Sequence, residues 1–84
     1  MNELAPRTQI IYVPRHALGN LSHRDCESGF VQRDEGTRVL CRFFKRDGSL
    51  RTRANGEWCG REDVIEHDHT TAERIAEIVR ELEI

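Results

Sequence analysis

The chain has 84 residues, which predicts one small domain able to bury only about 60–65% of its unfolded surface. Hydrophobic residues are 37% and charged residues 33%. That excludes a transmembrane span, a low-complexity chain and a large enclosed enzyme pocket. The net charge of −2 hides three unlike segments: residues 1–32 balance, 33–61 hold eight basic against four acidic side chains, and 62–84 hold two against eight.

The β-branched run Gln9–Val13 predicts a first strand. Pro14–Asp25 lacks alternation and predicts a long loop, a feature that is usually functional or specially tied down in so small a domain. Phe30-Val31 sits in a second strand, ended by Asp34-Glu35-Gly36. Thr37–Phe44 alternates, with Val39, Cys41 and Phe43 on one face and Arg38, Leu40, Arg42 and Phe44 on the other. Asp47-Gly48 and Asn55-Gly56 are hairpin signals, because Gly and Asn tolerate the positive φ of primed turns. They frame the arms Leu50–Ala54 and Glu57–Cys59, and Val64-Ile65 closes the series. Short strands with close turns predict a five-stranded antiparallel barrel over about residues 8–66.

The period then changes. Ala72, Ile75, Ala76, Ile78, Val79 and Leu82 fall at helical spacing and predict an amphipathic helix over 70–83. Thr70 with Glu73 reads as its capping box. A helix of about three turns is marginal alone, so its apolar stripe is expected to dock on the barrel. The fold class is therefore mainly β with one C-terminal helix.

The opening Met-Asn-Glu-Leu-Ala-Pro has no basic or apolar leader region, and three cysteines make an odd number. The expectation is a cytoplasmic protein with reduced thiols and no membrane contact. Cys41 is expected in the core. His67 and His69, flanking Asp68, are expected in a solvated linker.

The loop and second strand read Tyr12-Val13-Pro14-Arg15-His16-Ala17-Leu18-Gly19, then His23-Arg24-Asp25-Cys26-Glu27-Ser28-Gly29-Phe30-Val31. This resembles a family of small phage and prophage proteins with the pattern Y-x-P-x-H-A-x-G, then H-x-D-C-E-x-G-x-V. The family's closing segment is similar to Cys59-Gly60-Arg61-Glu62-Asp63-Val64-Ile65. The resemblance spans about residues 10–65 and implies an SH3-like (KOW/Tudor-like) barrel in a bacterial host. It implies no activity, and it does not extend to the basic 42–53 hairpin or to the helix.

Two readings stand for the loop. His16, His23, Cys26 and Cys59 supply the N/S ligands of a zinc site, although no C-x₂-C knuckle is present. Otherwise the histidines bond loop backbone, Asp25 caps a turn and Cys26 fills a core site, with no cofactor at all. Nothing in the sequence orients a nucleophile or an oxyanion site, so catalysis is not expected.

Two functions of different class follow. The first is a non-catalytic interaction module that binds and modulates a host protein or protein complex. It would offer Glu62, Asp63, Glu66, Asp68, Glu73, Glu77, Glu81 and Glu83 as a phosphate-like face, for example against a host defence nuclease in the manner of an anti-CRISPR protein. The second is nucleic-acid binding through Arg42, Lys45, Arg46, Arg51 and Arg53, with Phe44 and Trp58 for base stacking.

Overall fold

The structure is a computed structural model that describes residues 3–51 and 56–82. Its five strands are β1 (Gln9–Tyr12), β2 (Glu27–Asp34), β3 (Arg38–Phe43), β4 (Glu57–Gly60) and β5 (Val64–Glu66). They form one antiparallel sheet in the order β4-β3-β2-β1-β5. Consecutive strands β1 to β4 are neighbours, and β5 returns to the free edge of β1. A 3₁₀ turn, Arg61–Asp63, joins β4 to β5. A helix, α1 (Ala72–Leu82), follows. This is the mainly β, barrel-like architecture with a C-terminal helix that the strand count predicts. No helix among the described residues is long and apolar enough to cross a membrane.

Strand alternation sorts the side chains. Ile10, Val31, Val39, Cys41, Phe43, Val64 and Leu4 make one buried cluster, with Tyr12 and Cys59 packed against it. Tyr12 meets Phe43 edge to face at 6.2 Å. Gly29 lies between Ile10 and Phe43 in the register. A Cβ there would overlap the Arg42 carbonyl and sit 2.8 Å from the Phe43 ring, so the close strand packing needs glycine. β2 carries a bulge between Val31 and Arg33, which accommodates Gln32 as an extra residue.

The opposite face of β2 and β3 holds the helix. Phe30, Ile75 and Ile78 form a second buried cluster, joined by Phe44, Leu50 and Val79. The helix is thus docked on its own sheet. Its cap differs from expectation by one residue. Thr71 Oγ1 accepts the Arg74 amide at 3.2 Å, while the Thr70 carbonyl accepts from the Gln9 side chain.

Gln9 is 7% exposed and works as a clamp. Its Oε1 accepts the amides of His69 and Thr70, each at 2.8 Å, and its Nε2 donates to Thr70 O at 2.9 Å. The segment before the helix is therefore pinned to β1, which sets where α1 begins.

Candidate functional site

The basic hairpin builds a groove. Beyond β3, Phe44 bridges to Leu50, and the Lys45 amide donates to Ser49 O at 2.7 Å. Asp47 closes the turn internally. Its Oδ1 accepts the Ser49 amide at 2.9 Å and the Ser49 hydroxyl at 2.6 Å, and these bonds hold the carboxyl below its ordinary pKa. Gly48 sits at φ +89° in the same turn.

Two cavities, of about 450 and 280 Å³, share Ser28, Phe44, Lys45 and Arg46. The first runs on to Arg24, Asp25 and Arg51, and the second to His69, Thr70 and Arg74. Together they make one groove with an aromatic residue at its middle. His69 meets Phe44 edge to face at 5.5 Å, and its Nε2 lies 2.9 Å from Gly29 O. The expected solvated linker is, at His69, a packed wall of this groove.

The cations are not equivalent. Lys45, Arg46 and Arg74 are exposed and have no salt bridge among the described residues. Arg51 is engaged by Glu27 and, at 3.7 Å, by Glu57. Arg24 lies 4.0 Å from Asp25. Three positive charges therefore face the groove with no salt bridge among the described residues, although Lys45 also acts at longer range on Asp47, and a desolvated anion gains most from such groups.

Of the residues expected to bind nucleic acid, the structure brings Phe44, Lys45, Arg46 and Arg51 together. Arg42 is 9% exposed and lines a different cavity, with Phe30, Val79 and Leu82 beneath the end of α1. It is on the outward face, as alternation predicts, but the helix covers that face. Trp58 lies on β4, where Arg38 stacks on its ring at 3.9 Å and Arg33 approaches at 5.4 Å. Arg53 lies outside the described residues.

The expected zinc quartet is not assembled. His16, in a 3₁₀ turn over Arg15–Ala17, and His23 do converge, but on Asp25. The Cys26 thiol donates instead to Asn20 O at 3.3 Å. Cys59 sits on β4 against Cys41 in the core. The Cys41 thiol, hydrogen-bonded to Cys59 and desolvated, is pushed far up in pKa, while the same bond lowers that of Cys59.

The acidic residues fall into two places. Glu62 and Asp63 stand by the loop, where Arg15 lies 3.0 Å from Glu62 and 4.0 Å from Asp63. Glu66, Asp68 and Glu73 line a cavity with Gln9 and Arg7. From there Glu77 and Glu81 continue along the exposed side of α1 at four-residue steps. Glu83 lies outside the described residues.

Sequence reasoning missed Gln9, His69 and Asp34. The Asp34 side chain, 2% exposed, accepts the amides of Leu4 at 2.7 Å and Gly36 at 2.8 Å, with Arg61 3.6 Å away. Those bonds hold its carboxyl below the ordinary value of 3.8. Only the Asp34-Glu35-Gly36 turn signal pointed near it, since an Asp two residues before a glycine amide forms an Asx turn.

No protein-family model, no curated protein and no solved structure matches this chain.

Proposed function

We propose that this protein is a non-catalytic binding module whose groove takes single-stranded nucleic acid. The observation that carries this reading is the joined groove centred on Phe44, with Lys45, Arg46 and Arg74 free of salt bridges among the described residues. Cations without a salt bridge suit a phosphate backbone, and the half-buried Phe44 ring that lines both cavities beside them would give a base an apolar contact. A single strand suits the site better than a duplex, because only unstacked bases reach an aromatic in a cleft. The overall net charge of −2 is no bar, since the acidic groups on α1 are separate from the groove lining and the groove's own carboxylates, Asp25 and Glu27, stand against Arg24 and Arg51.

The test is fluorescence anisotropy with labelled DNA and RNA homopolymers and a matched duplex at low salt. Single strands should bind, and Lys45→Ala with Arg46→Ala should abolish most of the affinity. Failure of any oligonucleotide to bind, or equal binding by the double variant, would remove this reading.

A second reading rests on the acid stripe Glu73, Glu77 and Glu81 with Glu66 and Asp68, which also has no salt bridge among the described residues. In it the phage-like resemblance matters, and the stripe mimics phosphates toward a basic host protein or nucleoprotein. Charge reversal at Glu73, Glu77 and Glu81 should then abolish capture of that partner, whereas Lys45→Ala with Arg46→Ala should leave it intact.

A further inference from the structure

Residues 18–25 form the outer part of the loop between β1 and β2, and none of them is buried. Leu18 and Leu21 are exposed, so this stretch adds no side chain to either core cluster. Its order is polar in origin. Amide bonds from Asn20 to Ala17 O, from His23 to Asn20 O and from Cys26 to His23 O fold it back on itself. The same turns bring His16, His23 and Asp25 together, with one ligand atom from each within 4.8 Å of the others. His16 Nε2 lies 2.6 Å from Asp25 Oδ2, and His23 Nδ1 lies 4.0 Å from that same oxygen. The two rings meet edge to face at 5.2 Å.

We propose that His16, His23 and Asp25 bind one divalent transition-metal ion of the zinc class, and that the ion staples this loop. Two imidazoles and a carboxylate are the ligand set such ions take. Bonds of about 2.0–2.1 Å at tetrahedral angles place ligand atoms about 3.3 Å apart. The two distances to Asp25 Oδ2 bracket that value and all three ligand atoms lie within 4.8 Å of one another, so adjustment of the carboxylate and the rings closes the set. Three costs are visible. His16 Nε2 and Asp25 Oδ2 give up the hydrogen bond that now joins them. His23 Nδ1 now accepts the Asp25 amide at 3.0 Å and gives that bond up on binding. Arg24, 4.0 Å from Asp25 Oδ1, opposes the ion by its charge. Side-chain exposures of 61% for His16 and 48% for Asp25 leave the remaining coordination positions open to water. The proposal does not depend on the groove binding nucleic acid.

The test uses protein without an affinity tag, titrated with zinc and with cobalt chloride. Calorimetry gives stoichiometry, and the visible absorption of tetrahedral cobalt reports the ligand field. Histidine ring signals in NMR report which rings respond. One ion per chain should bind, shifting the rings of His16 and His23 and leaving those of His67 and His69. His16→Asn, His23→Asn and Asp25→Asn should each weaken binding by about tenfold or more, and Cys26→Ser and His67→Asn should not. Lack of saturable one-to-one binding, unchanged affinity in all three ligand variants, or loss on Cys26→Ser or His67→Asn would overturn the proposal. Should a ligand variant not fold, the ring shifts of the unaltered protein still decide it.

Discussion

Removing Lys45 and Arg46 together should change not only the affinity of the groove for a single strand but its salt dependence. Each phosphate neutralised on a single strand contributes a slope of about −0.7 in log affinity against log salt. Lys45, Arg46 and Arg74 are the exposed groove cations with no salt bridge among the described residues, whereas Glu27 and Glu57 engage Arg51. Three contacts give a slope of about −2, so a fourfold rise in salt should weaken binding by about 20-fold. The Lys45→Ala, Arg46→Ala variant keeps Arg74 alone. Its slope should fall to about −0.7, and the same rise in salt should cost only about two- to threefold. Anisotropy titrations at stepped salt concentrations measure both slopes. Equal slopes in the two proteins would refute the assignment of these side chains to phosphate, whatever the absolute affinities. A wild-type slope near −3 would show that Arg51 leaves its carboxylates on binding.

Three further outcomes follow from the fold. Ile75→Ala removes a side chain that is 2% exposed at the centre of the helix contact, and urea unfolding should show a loss of about 2–5 kcal/mol. Against a total of roughly 4–13 kcal/mol for a domain of this length, the helix is then part of one cooperative unit, and a loss below about 0.5 kcal/mol would mean it docks only loosely. Gln9→Leu keeps the side-chain volume but strands the amides of His69 and Thr70, which should cost about 1–3 kcal/mol and shift the Phe44 and His69 ring signals together. Asp34 has a folded pKa below its ordinary 3.8, so its contribution is fully present above that value and is lost as pH falls through the folded pKa. The stability gap between the wild-type protein and Asp34→Asn should therefore narrow on acidification below 3.8, and a gap independent of pH would contradict the two amide bonds assigned to it.

Periodicity carries the parts of the fold that are legible in the sequence. Val39, Cys41 and Phe43 alternate and are buried together, and Ile75 and Ile78 mark the helix stripe that docks. β2 was legible only at Phe30-Val31, because its first residues, Glu27, Ser28 and Gly29, have no apolar pattern and pair for the sake of close packing. The site was half legible. The cluster of basic residues in 42–53 did mark the groove, but alternation alone could not show that α1 would cover Arg42 and leave Lys45 and Arg46 open. The two loop histidines were recognisable as a pair. Whether Asp25 or Cys26 faced them depended on the phase of three consecutive turns, and one residue along a turn changes a side chain's direction entirely. Gln9 was invisible for a different reason. Its partners lie about 60 residues away in the chain, and a buried amide clamp leaves no local trace.

The central claim is that one groove, built on Phe44, meets the ligand. Amide and side-chain NMR shifts recorded while a short single-stranded oligonucleotide is titrated into the full chain test it most directly. The largest shifts should fall on Phe44, Lys45, Arg46, His69 and Arg74, with Glu77 and Glu81 unmoved. Shifts concentrated on Glu66, Asp68 and the acidic side of α1, or on Trp58 with Arg38, would contradict it.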